Sequence, residues 1–277
     1  MKILVTGSTG RIGTPLRRRL AEGPHEATYL ARGGPAGPDD GTLRVDITDR
    51  MALIEVVAQA APDVIVHLAS LTGKHCDLDP ESAERINVVG TSNVVEAAGV
   101  AGVRRIVFAS TSAVYGDGYA GPADETQPVA PRTRYAHTKF EAEQVLADAM
   151  TRDASIETLS LRIFNVFGPA FDDSLVNRLL ESSPDDPVVL LGLDQFVRDY
   201  SHVDSIVEGF HTALGAPLRG HSTINLGSGS PISNRRLLEV LAGRGALSYS
   251  VVDGARSYSC ADIGVARAIL GFTPQPV

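Results

Sequence analysis

The sequence predicts a doubly wound α/β fold, a parallel sheet covered by helices on both faces. Three observations carry this expectation. Short β-branched runs alternate with longer helical patterns through most of the chain. The strands are apolar on both faces, as a buried parallel sheet requires. A glycine-rich turn also stands between the first strand and the first helix. The chain has 277 residues, enough for one large domain or two unequal lobes.

The elements follow in order. "KILVTG" reads as a strand, "TPLRRRLAEG" as a helix, "EATYLA" as a strand, and "DRMALIEVVAQA" as a helix opened by Asp49. Next come the strand "DVIVHLAS", the helix "PESAERINVVGTSNVVEAAGV", the strand "RRIVFAST", a helix from Tyr135 to about Met150, and the strand "IETLSLRIF". Residues 1–168 therefore form the doubly wound domain. After "FNVFGP" the rhythm loosens into a helix near "DSLVNRLLE", a strand "PVVLLG", a helix "DSIVEGFHTAL", a strand "STINLG", a helix "ISNRRLLEVLA" and the closing "DIGVARAILGF". These are too few and too short for an independent α/β domain. Residues 169–277 are expected to form a smaller mixed α/β lobe that closes over the first, with some exchange of chain between the two. "RGGPAGPDDG", residues 32–41, reads as a surface loop.

Composition narrows the function classes. The net charge of −8 opposes a phosphate-backbone binder, which normally shows a basic face. The cluster Arg17, Arg18, Arg19 reads as the wet side of a helix. Cys76 and Cys260 show no metal-ligand spacing, so no metal site and no disulfide framework is expected. The opening apolar run is too short for a signal-peptide core, and nothing later approaches a membrane span. A cytoplasmic location is the default.

The first chemical motif is "TGSTGRIG", with Gly7, Gly10 and Gly13 at three-residue spacing. Glycine is needed where the backbone turns tightly and a diphosphate must approach it. The helix that follows offers that diphosphate its free N–H groups. A dinucleotide cofactor is therefore expected here. An acidic residue at the end of the second strand would meet a free ribose 2′-hydroxyl, but the chain has Ala31 and Arg32. Either Arg32 meets a 2′-phosphate, making NADP plausible with Arg11 as a helper, or it faces solvent beside the loop. NAD and NADP both stay open. Asp46, at the end of the third strand, is placed to reach the adenine end.

The second motif is "FASTSAVYG", which sets the hydroxyls of Ser110, Thr111 and Ser112 at a strand's carboxyl end, where the ligand crevice opens. The third is Tyr135 and Lys139 in "YAHTK". Positions i and i+4 share a helical face. A free phenol, with a pKa near ~10, is a poor base at neutral pH. A neighbouring ammonium and the positive nicotinamide ring both favour phenolate, so Lys139 and the cofactor together are expected to bring the pKa of Tyr135 toward the working range. Thr111 would then hydrogen-bond the substrate oxygen whose proton Tyr135 takes.

The ordered set "TGSTGRIG", "HLAS", "INVVGT", "FASTSAVYG", "YAHTK", "LRIFNVFGP", "RDYSHVD" and "INLGSGSPIS" resembles the extended short-chain dehydrogenase/reductases of the NAD-dependent epimerase/dehydratase family. The resemblance covers nearly the whole chain. It implies a Rossmann-type domain, a small C-terminal substrate lobe, and Thr111, Tyr135 and Lys139 as the catalytic set. It implies cofactor contacts from Gly7, Thr9, Gly10, Arg11, Ile12, Gly13, Arg32, Asp46, Ile47, Leu68 and Ala69, together with Tyr135 and Lys139. Asn165 and Arg198 match residues that contact the substrate's sugar and diphosphate, and Ser112 is a further substrate contact. Asn87 matches an asparagine read as structural support.

Within the family, the 4,6-dehydratases carry an acidic pair after the catalytic threonine, where this chain has Ser112 and Ala113. "STSAVYG" is closer to the nucleotide-sugar 4-epimerases. Two departures stand against the pattern: Val252 occupies the place of a second diphosphate-binding arginine, with Arg256 nearby, and the sequence ends at "GFTPQPV", short of the usual final helix. Three functions are thus carried forward. The first is a nucleotide-diphosphate-sugar 4-epimerase working through a transient 4-keto sugar. The second is an NAD(P)H-dependent ketoreductase or dehydrogenase on a non-nucleotide substrate. The third is a non-catalytic dinucleotide sensor, against which the intact proton-relay set argues. The helices from Asn87 to Val100 and from Tyr135 to Met150 resemble those that pair in family dimers, so a homodimer is expected.

Overall fold

The computed structural model describes residues 1–33, 41–152, 155–275 and 277. Most of the expected loop at 32–41 lies outside the described residues. β1 (Lys2–Thr6) leads through the glycine turn into α1 (Gly13–Ala21), and β2 (Glu26–Ala31) and β3 (Thr42–Arg44) follow. α2 (Arg50–Ala60) starts where the Asp49 side chain accepts a hydrogen bond from the Ala52 amide, satisfying one of the helix's open N–H groups. After β4 (Val64–His67) come the short α3 (Lys74–Leu78) and α4 (Pro80–Glu84), then α5 (Gly90–Ala101). The stretch read as one helix from Pro80 is interrupted by a π turn at Arg85–Val89, which carries the buried Asn87.

β5 (Arg105–Thr111) ends in a 3-10 turn, and α6 (Arg134–Arg152) and β6 (Glu157–Ile163) follow. The rest of the chain runs β7 (Asn165–Phe167), α7 (Leu175–Leu180), β8 (Val188–Leu191), β9 (Phe196–His202), α8 (Val203–Ala213), β10 (His221–Leu226), β11 (Pro231–Ser233), α9 (Asn234–Ala242), β12 (Tyr249–Val252), β13 (Ser257–Ser259) and α10 (Gly264–Leu270).

Seven strands form one sheet in the order β10-β6-β5-β4-β1-β2-β3, and every pair in it is parallel. Successive side chains of a strand point to opposite faces. Ile3 and Val5 therefore join one core, with Val64 and Val66, while Leu4 and Ile65 join the other. Each fully buried side chain of this kind contributes about 1.5–3 kcal/mol. α2, α5 and α6 close one face through Leu53, Val94 and Leu146. α1, α8 and α10 close the other through Leu16, Phe210 and Ala266. Chain from beyond residue 168 thus completes the first layer: β10 pairs with β6, and α8 and α10 cover the sheet.

The remaining elements build a second unit. β9 pairs with β11 in antiparallel fashion and with β7 and β13 in parallel, while β8 pairs with β12. Phe167, Val176, Leu237 and Leu241 form its core. The strand order of the large sheet reverses between β1 and β4, and the crevice at such a switch point is the expected ligand site.

Candidate active site

Three clefts of about 410, 420 and 440 Å³ run in series along this crevice. Gly7, Gly10 and Leu68 belong to both the first and the second. Arg11, Phe171 and Asp173 belong to both the second and the third. Thr9, Arg32, Asp46, Ile47 and Ala69 line the first cleft. Ile12, Gly13, Thr111, Tyr135 and Lys139 line the second, and Asn165 and Arg198 the third. Ser112 is the exception. It opens the 3-10 turn after β5 and lines none of these walls, because that turn carries it away from the crevice.

The glycine turn is shaped for close approach. Gly7 has φ of +67°, and a Cβ there would stand 2.6 Å from the Ala69 amide nitrogen. A Cβ on Gly13 would run into the Gly7 carbonyl oxygen and Ser8. The turn is thereby pressed against the loop after β4, and the first turn of α1 is left facing the crevice. Backbone N–H groups at such a helix start bind phosphate oxygens.

In the second cleft, Thr111 ends β5 and its hydroxyl oxygen accepts a hydrogen bond from the Ala113 amide at 3.2 Å. Thr111 faces the Tyr135 side chain across the cleft. Lys139 follows one turn along α6; it is only 2% exposed, with Nζ 4.0 Å from the centre of the Phe108 ring. Burial pushes the Tyr135 hydroxyl up to about 12, with Cys76 adding and the Thr111 side chain opposing. Burial also pushes Lys139 down to about 7, against the opposing pull of Glu143. In the protein without a cofactor, burial outweighs any help that Lys139 gives the phenolate. Both groups share one desolvated cavity, which disfavours phenolate and ammonium alike.

Sequence reasoning passed over Glu143, one turn beyond Lys139 on the same face. It is 2% exposed and accepts hydrogen bonds from Arg162 Nε at 3.0 Å and Arg162 Nη2 at 2.7 Å. It also accepts one from the Ser110 hydroxyl. The i, i+4, i+8 spacing of Tyr135, Lys139 and Glu143 was the available signal. Asn87 acts as a staple behind the cleft: Oδ1 accepts from the Leu71 amide at 2.8 Å and Nδ2 donates to Thr138 Oγ1 at 3.0 Å.

In the third cleft, Arg198 stacks 3.8 Å from the centre of the Phe196 ring. It donates to the Val197 carbonyl at 2.8 Å and to Ser257 Oγ at 2.7 Å. Ser257 in turn donates to Asp117 Oδ2 at 2.7 Å. Asn165 Nδ2 donates to the Asp199 carbonyl at 2.9 Å. The fully buried Asp199 carboxylate accepts from the amides of Gly229 and Ala261, both at 3.0 Å, and from that of Ser228. It ties β9 to two further segments directly behind Arg198. Val252 and Arg256 are both exposed, and neither lines the third cleft; Arg178 does.

The first cleft keeps Arg32 and Asp46 together. Asp46 stands two residues past β3 instead of ending it, because its Oδ1 accepts from the Thr48 amide at 2.9 Å and from Thr48 Oγ1 at 2.8 Å in a tight turn. Arg11, expected to help Arg32 at a 2′-phosphate, points the other way. It lines the second and third clefts and donates to Asp173 Oδ1 at 2.6 Å.

A parallel sheet with a glycine turn at its switch point, faced by a tyrosine and lysine on one helix, defines the extended short-chain dehydrogenase/reductase class. More narrowly, the chain belongs to the NAD dependent epimerase/dehydratase family, which matches it over residues 3–227. A UDP-glucose 4-epimerase of Mycolicibacterium smegmatis is 31% identical over 99% of this chain and 94% of its own. Among solved structures, MoeE5 in complex with UDP-glucose and NAD is 29% identical with a TM-score of 0.87, over 99% of this chain and 94% of its own. The UDP-glucose 4-epimerase of Thermus thermophilus in complex with NAD is 28% identical with a TM-score of 0.84 and the same coverage.

Proposed function

We propose that this protein is a nucleotide-diphosphate-sugar 4-epimerase. One observation carries the reading: a single crevice joins the glycine turn, the Thr111, Tyr135 and Lys139 cluster and the Asn165 and Arg198 wall in that order. UDP-sugar relatives of full length support it.

The residues present fit a dinucleotide, since the backbone cradle at Gly7 and Gly13 has no room for a Cβ. A nicotinamide dinucleotide held there would supply reversible hydride transfer at the sugar C4. Tyr135 takes the proton of the 4-hydroxyl and gives it back to the 4-keto oxygen. Thr111 holds that oxygen beside the phenol, and Lys139 orients the cofactor ribose and supports the phenolate electrostatically. Desolvation sets the Tyr135 pKa high in the protein alone, so a positive charge brought beside it lowers that pKa, and proton transfer becomes coupled to cofactor binding. Arg198 grips the diphosphate while the sugar turns over to present its other face.

Arg32, with no carboxylate at Ala31, favours a second reading: NADPH-dependent reduction of a substrate without a nucleotide. Denaturing the purified protein and identifying the released dinucleotide, then assaying UDP-sugar turnover with and without NADPH, separates the two. Epimerised sugar with retained NAD and no net redox is expected; stoichiometric NADPH consumption would refute the epimerase.

We further propose that two copies pair through α5 and α6 and act in the cytoplasm. Val95, Gly99, Val100 and Val145 line a shallow groove between these helices, and Val100 is 63% exposed. Sedimentation as a monomer at all concentrations would exclude the dimer.

A further inference from the structure

Arg11 is the one charged side chain that the dinucleotide turn contributes to the substrate side of the crevice. It sits between Gly10 and Ile12, yet it lines both the catalytic cleft and the cleft of Arg198 and Asn165. Its guanidinium lies 5.5 Å from the centre of the Phe171 ring and is paired with Asp173 at 2.6 Å, with the two side chains 52% and 69% exposed. The pair is separated by 162 positions in sequence and bridges the two walls of the crevice. An exposed pair of this kind is weakly held and opens readily to a better anion.

The third cleft calls for such a cation. Arg198 has donors committed to Val197 and Ser257 and its face on Phe196. Val252 stands where a second arginine was expected and Arg256 is not on the wall, which leaves the exposed Arg178 and Arg11 as the further guanidinium groups there. A diphosphate needs a second fork of donors, and arginine supplies one bidentately.

Resting on the nucleotide-sugar reading above, we infer that Arg11 is a substrate-diphosphate contact and that Asp173 is its internal placeholder. The substrate's diphosphate displaces the Asp173 carboxylate from Arg11. The same exchange makes the site selective, because a substrate without a diphosphate does not compete for the guanidinium.

The test is a double-mutant cycle read by calorimetric titration of UDP onto NAD-loaded protein, with UDP-glucose turnover and NAD content measured in parallel. Arg11→Gln should weaken UDP binding about 10-fold. Asp173→Asn should tighten it several-fold, and that gain should vanish in the Arg11→Gln background. An equal gain in both backgrounds would mean that Asp173 merely repels phosphate, and the inference fails. Unchanged UDP binding in Arg11→Gln also overturns it. So does a weakened affinity that added NAD restores, since Arg11 would then serve the cofactor. Wild-type protein that neither binds UDP nor turns over UDP-glucose would instead remove the nucleotide-sugar reading itself.

Discussion

The two walls of the crevice are built differently. On the sheet side, Thr111, Lys139 and Glu143 are each under 10% exposed and belong to long elements of the seven-stranded sheet and its helices. On the lobe side, the strands beside Arg198 are only three residues long at β7, β11 and β13. Arg178 and Asp173 stand in solvent there. The proposed chemistry rests on a dry frame of long elements, whereas the proposed substrate grip rests on a few side chains of short strands and loops. A rigid wall suits a fixed proton path, and a looser one suits a sugar that has to rotate between two hydride transfers.

Disabling the rigid wall should have the largest effect. Tyr135→Phe removes the proposed proton carrier and should lower kcat about 10²- to 10⁴-fold, with UDP affinity measured by calorimetry unchanged. Retained turnover would show that another group moves the proton. On the lobe wall, Arg198→Ala should raise KM for UDP-sugar about 10- to 100-fold with a smaller change in kcat. A kcat loss with constant KM would place Arg198 in the chemical step instead.

The dryness of the sheet side has its own signature in stability. Folded Lys139 releases its proton near 7, whereas the unfolded lysine holds it to 10.5. Between those values the unfolded state binds more protons, so this group's contribution to stability rises with pH, by about 1.4 kcal/mol per pH unit at most. The cost of burying its charge is fully present below the lower value and is relieved above it. The difference in Tm between cofactor-free wild type and Lys139→Met should therefore vary with pH across this window. A constant difference would show that Lys139 keeps its ordinary pKa. The smallest effect is expected at Ser257→Ala, which removes one support of Arg198 and should raise KM only a few-fold; a change as large as that of Arg198→Ala would mean that the lobe wall is as interlocked as the sheet wall.

Much of the architecture was legible because period and burial coincide. The strand "EATYLA" is β2 residue for residue, and Asp49 caps α2 where its carboxylate was read. The short strands of the lobe escaped notice. β9, "FVRDYSH", mixes charge with apolar residues and shows no period of two, and three-residue strands carry too little pattern to register. At the site, the glycine spacing and the Tyr135 and Lys139 pair were readable as local signals. The Arg11 to Asp173 bridge and the commitment of Arg198 to Ser257 were not, since each joins residues far apart in the chain.

The sequence by itself determined the parallel sheet, the tight glycine turn and most of the side chains that meet at the switch point. These depend on local periodicity and on residue chemistry at short spacing. Only the tertiary structure decided which cleft Arg11 enters, that Ser112 stands outside the crevice, and that burial drives Tyr135 up and Lys139 down. Those outcomes depend on which surfaces lose water when distant segments pack, and desolvation is a property of the assembled fold.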